Sequence, residues 1–238
     1  MRKTVYAAGA LSMLAALTFA APAQAGGKHD GGRHDSDDAR LSVLHGVPGA
    51  TVDVWVNGKL TLDNFEPGTL AGPLKLDDGS YKIAITASDA TSADNPVIGP
   101  VKVHLKEGRN YTAVAHLDAS GTPTASLFKN DTSASPKGEG KLTVRHVAAA
   151  PAVDVLAGDT PVIEGLENPE QEVLTLKAGT VSASVAAAGT TEPLIGPADI
   201  PVTKGKNTIV YAWGSLKDDT LGVAVQVVDS AKWHGHDD

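Results

Sequence analysis

The sequence is 238 residues long, carries a formal charge of −8 and contains no cysteine. The acidic balance argues against nucleic acid and anionic membrane as partners. Without cysteine there are no disulfides and no thiol nucleophiles, so an exported fold must be held by apolar cores alone.

The chain opens MRKTVYAAGALSMLAALTFAAPAQAGG. Arg2 and Lys3 form a basic start, an apolar run extends to about Ala21, and Ala23-Gln24-Ala25 fits the small-x-small cleavage pattern. Residues 1–25 therefore read as a secretory signal peptide, cleaved near Ala25. No later segment is long and apolar enough to predict a membrane span. The mature protein is expected to be secreted or associated with the cell wall, with no membrane insertion after cleavage. Residues 26–40, GGKHDGGRHDSDDAR, hold almost no apolar side chain and read as a disordered tail.

From residue 41 the apolar period is two. Val52, Val54 and Val56 alternate with Asp53, Trp55 and Asn57, the pattern of a half-buried strand. Asn57-Gly58 supplies the positive-φ pair of a tight hairpin, and Leu60 and Leu62 lie on the return strand. Tyr81, Ile83 and Ile85 alternate after the Asp78-Gly79 turn. So do Val101, Val103 and Leu105, and, after Glu107-Gly108, Tyr111, Ala113 and Ala115. This spacing predicts seven or eight short strands in an antiparallel sandwich. Residues 131–141, DTSASPKGEGK, read as a flexible linker.

The pattern then returns. LSVLHGVPGATVDV at 41–54 meets LTVRHVAAAPAVDV at 142–155, and PVIGPVKV at 96–103 meets PLIGPADI at 193–200. LKLDDGSY (74–81) likewise meets LTLKAGTV (174–181), and KEGRNYTAVA (106–115) meets TKGKNTIVYA (203–212). Order is kept throughout, and a period near 100 residues is too long for a solenoid. The expected architecture is all-β: two tandem antiparallel β-sandwich domains, 41–130 and 142–229, with a C-terminal tail at 230–238.

The ordered set His45, Pro48, Ala50, Val52 to Val54, Val56, Gly58, Gly79, Tyr81, Gly108, Tyr111, Thr112, Val114 and Ala115 resembles a bacterial exported family. It is called domain of unknown function 4397. The second copy resembles it more weakly, with Val181 for Tyr81 and Thr208 for Tyr111. The resemblance implies an immunoglobulin-like or transthyretin-like sandwich on envelope or exported proteins. It implies no activity and no catalytic residue.

Candidate chemistry is sparse. His45 and His146 end the first strand of each copy, and each is expected to hydrogen-bond a neighbouring loop carbonyl; a His45–Asp53 contact is also conceivable. Asp53 and Asp154, at outward strand positions between core-facing valines, are expected to be solvated, edge-blocking charges. Trp55 and Leu156 share that face, which suggests partial covering by the other domain or by a partner. His29, His34 and Asp35 in the first tail, with His234 and His236 in the last, could hold Zn²⁺, Cu²⁺ or Ni²⁺. G-x-S-x-G, H-E-x-x-H, phosphate-loop and dinucleotide signatures are absent, so no cofactor is expected. The reading is a non-catalytic binding or spacer module for an unknown protein or envelope component. Metal capture by the tails and an enzyme of unknown type are the alternatives.

Overall fold

The computed structural model describes residues 38–232, and every regular element among them is a strand. The first half carries β1 (Ala39–Gly46), β2 (Val52–Val56), β3 (Lys59–Phe65), β4 (Leu70–Leu76), β5 (Gly79–Ala87), β6 (Ile98–Leu105), β7 (Asn110–Leu117) and β8 (Pro123–Lys129). The second carries β9 (Glu139–Ala149), β10 (Val153–Ala157), β11 (Thr160–Leu166), β12 (Gln171–Lys177), β13 (Gly179–Ala187), β14 (Pro193–Val202), β15 (Lys206–Ser215) and β16 (Gly222–Asp229). Sheets of order β4-β1-β7-β8 and β3-β2-β5-β6 form one sandwich; β12-β9-β15-β16 and β11-β10-β13-β14 repeat the order in the other.

The strands form where the period-two pattern places them. Asn57 and Gly58, at φ 51° and 77°, turn β2 into β3. One pair in each sandwich departs from the antiparallel expectation: β1 with β7 and β9 with β15 run parallel. In a constant-type immunoglobulin sandwich the first strand pairs with the second. Here β1 pairs with β4 and β7 instead, so the strand order differs from that immunoglobulin type. The repeated Ile-Gly-Pro also has a local cause. Gly99 and Gly196 stand at φ +93° and +92°, and an added Cβ would lie 2.7 Å from Ile83 O and 2.9 Å from Ala183 O. Only glycine fits a backbone that close at that φ.

Each sandwich has its own apolar core. Leu41, Val43, Val52, Val54, Ile83 and Ile85 centre the first, and Leu142, Val144, Val153, Val155, Ile163 and Ile200 the second. A third core joins them. Leu44, Val114 and Phe128 of the first sandwich cluster with Val147, Ile209, Tyr211, Ala224 and Val228 of the second. The sheets holding β1 and β9 therefore pack on each other through their outer faces, and the body is four layers deep. Their central strands β1, β7, β9 and β15 are buried along almost their whole length, on both faces.

The residues expected as a linker, 131–141, join the two sandwiches and make contacts of their own. β9 begins at Glu139, so the last of them are strand. Before it, Asn207 Nδ2 donates to Asp131 O at 3.0 Å, Ala231 N to Thr132 O at 2.8 Å, and Lys141 Nζ to Asp131 Oδ2 at 2.7 Å. Ser, Gly and Pro content favoured a loop, and a loop forms, but the seam beneath supplies partners that hold it. At the start of the body, β1 begins at Ala39, inside the expected tail.

Candidate functional site: a polar seam between the sandwiches

The repeated histidines serve local turns. His45 Nε2 lies 2.8 Å from Ala50 O and its ring stacks on Phe65 with centroids 5.9 Å apart. His146 Nε2 lies 3.0 Å from Pro151 O. A carbonyl only accepts, so Nε2 carries the proton in both rings, leaving Nδ1 to face the amides of Val47 and Ala148 at 3.4 Å. Burial pulls both pKa values below the usual 6.5, opposed by the backbone carbonyl bonds.

Asp53 and Asp154 are not the solvated edge charges the alternation suggested. β2 and β10 lie inside their sheets, and the two residues are 2% and 6% exposed. Asp53 Oδ1 accepts from Asn64 N at 2.9 Å, so its partner is this amide rather than His45. Asp154 accepts from Gly165 N and Gly189 N, each at 2.7 Å. The amides of Gly189 and Gly165 hold the Asp154 carboxyl below its usual pKa. Asn64, Gly165 and Gly189 all have positive φ. These carboxylates therefore tie down left-handed kinks that the ladder leaves unpaired. Strand period assigns a side chain to a face; it does not say what neighbouring loops do above it. On that face Trp55 Nε1 donates to Thr86 Oγ1 at 2.9 Å, and Trp55 and Leu156 are 8% and 1% exposed.

The densest chemistry lies in the seam, around a residue the sequence reading passed over. Arg145, on β9, is fully buried. Its Nε donates to Gln171 Oε1 at 2.8 Å, Nη1 to Tyr211 OH at 2.7 Å and Nη2 to Asn130 Oδ1 at 2.8 Å. The guanidinium also sits 4.4 Å from the Phe128 ring centroid and 5.1 Å from that of Tyr211. Every one of these partners is neutral. Burial lowers the Arg145 pKa from its ordinary value, with Tyr211 opposing; burial likewise raises the Tyr211 phenol, with Arg145 opposing. From Tyr211 the network continues into the other sandwich. Tyr211 OH donates to Gln226 Oε1 at 2.6 Å, and Gln226 Nε2 donates to Ser42 Oγ at 3.1 Å. Thr112 Oγ1 lies 2.9 Å from Gln226 Oε1 and accepts from Asn130 Nδ2 at 3.0 Å.

Two further groups flank this network. Lys141, 4% exposed, pairs with Asp131. Burial works against the Asp131 charge, but Lys141 and the Ser133 hydroxyl and amide hold its pKa below the usual value. At the other end, Asn168 Nδ2 donates to Leu117 O at 2.8 Å and to Ala148 O at 2.6 Å, bridging the sandwiches. Trp213 fills the space over Gly68, where an added Cβ would stand 2.7 Å from its ring. Fully buried His116 places Nδ1 2.9 Å from Leu117 O and Nε2 2.9 Å from Ser126 Oγ. Burial depresses its pKa, countered by Leu117 and Asp118 and reinforced by His146. The Ser126–His116 contact has the spacing of a nucleophile and base, but a backbone carbonyl rather than a carboxylate orients the ring.

The candidate metal residues His29, His34, Asp35, His234 and His236 lie outside the described residues. Among the described residues no group of three or more His, Asp or Glu is placed to hold a metal ion. No helix among them is long and apolar enough to cross a membrane. What the seam does is positional: its hydrogen bonds cross a domain boundary and fix one sandwich on the other, with Asn168 Oδ1 and Trp213 Nε1 left as buried polar atoms without a partner.

Compared with known families, residues 39–156 match the model described as Domain of unknown function (DUF4397). The match takes in the first sandwich, the connection and β9, and ends within β10. No curated protein matches the chain.

Proposed function

We propose that the chain is an exported, non-catalytic module of the bacterial envelope or extracellular space, in which two sandwiches of the same family act as one rigid spacer that presents surfaces to a protein or envelope component. The observation that carries this reading is the seam. Arg145, Tyr211, Gln226, Asn130, Thr112 and Ser42 form one network that crosses the boundary at Arg145–Asn130, Gln226–Ser42 and Thr112–Gln226. Tandem domains that move independently need no such network, because domain motion is the default where an interface is small. A fixed spacing is what the network secures, and rigid bodies with loops at both ends suit display and docking. The sequence reading of the leader supports export.

The test is fractionation of cells producing the chain, followed by N-terminal sequencing and capture of partners from the envelope and secreted fractions. The proposal expects protein outside the cytoplasm beginning at Gly26, and an envelope component retained by the wild type but lost when the seam is opened by Arg145→Ala. Recovery in the cytoplasm with residues 1–25 attached would defeat it. So would ester turnover that disappears with Ser126→Ala, since that would make the Ser126–His116 contact a working pair.

A further inference from the structure

The two copies differ sharply at their last strand. In the first, Ala125 and Leu127 of β8 pack against the first core, and Lys129 ends the strand. The ladders place Val223, Val225 and Val227 of β16 where β8 has Ala125, Leu127 and Lys129: Ala115, Ala113 and Tyr111 pair with the first set, and Ala212, Val210 and Thr208 with the second. Yet no β16 side chain is buried in the second core; Val223 only borders the space lined by Val144, Val155 and Val210. Val223, Val225 and Val227 stand 39%, 46% and 50% exposed, on one face of an edge strand.

Edge strands expose unpaired N–H and C=O groups, and proteins block them with proline, lysine or other charges. The other edges obey this. Pro73 lies in β4, Pro100 in β6, Pro123 and Lys129 in β8, Pro161 in β11, and Pro193, Pro197 and Pro201 in β14. β3 has Lys59 and Asp63, and β12 has Glu172 and Lys177. β16, GVAVQVVD, has no proline and no charge before its last residue. Where the first copy has a blocking lysine at 129, the second has Val227.

We propose that β16 pairs with β16 of a second copy of this chain, antiparallel about a two-fold axis at Val225. The strand is its own complement in that register. Val225 meets the second copy's Val225, Val223 meets Val227, and Gln226 meets Ala224. Asp229 falls opposite Leu221, so no like charges oppose each other. Main-chain hydrogen bonds supply the attraction, and the alternate valines are covered by their own counterparts. The contact is one strand wide and, over the seven paired residues 222–228, about 24 Å long at ~3.4 Å per residue. That is small against a standard interface, so the dimer is weak and depends on concentration. This pairing stands independently of the spacer reading.

The absence of cysteine makes the test direct. In the full chain as recovered from cells, Val225→Cys places one thiol on the axis, where directly opposed Cβ atoms lie within disulfide reach. Val97→Cys, at a valine 60% exposed ahead of β6, is the control. Mild oxidation should link the Val225→Cys chain into a covalent dimer at least tenfold faster than the control. Sedimentation of the wild type should move from monomer to dimer as concentration rises, and Val225→Lys should weaken that association at least tenfold with its circular dichroism unchanged. Should Val225→Lys fail to fold, the two cysteine chains still decide. A wild type that stays monomeric at every concentration, or equal cross-linking of the two cysteine chains, overturns the proposal.

Discussion

Replacing Arg145 with alanine tests the seam where its chemistry is most concentrated. The change removes two hydrogen bonds from a fully buried guanidinium, to Tyr211 and Asn130, and a third to Gln171 at the half-buried rim. Hydrogen bonds to charged groups contribute about 1.5–3 kcal/mol each. Against this, the folded protein no longer has to desolvate an ion with neutral partners, a cost of several kcal/mol. The orphaned acceptors retain some company: Gln226 still takes the Tyr211 hydroxyl, and Thr112 still faces Asn130. The lost stem leaves space beside Phe128 and Tyr211, which adds a cavity penalty. The net is a destabilisation of about 2–4 kcal/mol, or roughly 5–15 °C in melting temperature for a body of this size. Arg145→Met keeps most of the stem and should cost less than about 2 kcal/mol. Urea unfolding followed by tryptophan fluorescence measures both, since Trp213 lies in the seam. An alanine variant within about 0.5 kcal/mol of wild type would refute the reasoning, because so small an effect is typical of a surface substitution.

Stability should fall as the medium is acidified below about pH 6.5. His45, His116 and His146 all have folded pKa values below the usual 6.5, each chiefly through burial. In the window between the folded and unfolded values the unfolded chain binds more protons, so the stabilisation is complete above 6.5 and is lost as pH drops through it. Melting temperatures across pH 4–8 check this, and a flat profile would contradict it. Asp53→Ala should cost about 1–3 kcal/mol, the penalty for leaving the Asn64 amide without its acceptor. Asp154→Ala should lower the melting temperature further, because it frees two amides instead of one.

The strands, their turns and the duplication were legible because each leaves a local mark: valines at every second position, Asn57-Gly58 at a hairpin, Ile-Gly-Pro at two matching bulges. The seam was not. On β1 the outward residues are Ser42 and Leu44, and on β7 they are Thr112, Val114 and His116. Such mixed faces read equally as solvated or covered. Arg145 stands where the first copy has Leu44, and a lone arginine on a strand reads as surface. The available hint was apolar: Leu44, Val114, Ile209 and Tyr211 occupy positions that a solvated face would give to polar residues. Asp53 misled for a related reason, since alternation assigns a face and cannot report the kinked amide of Asn64 waiting above it.

The most direct test of the central claim is calorimetry of the wild-type chain. If the seam makes one body of the two sandwiches, residues 38–232 should melt in a single transition whose calorimetric and van't Hoff enthalpies agree. Two resolved transitions, or a calorimetric enthalpy about twice the van't Hoff value, would show independent sandwiches and contradict it.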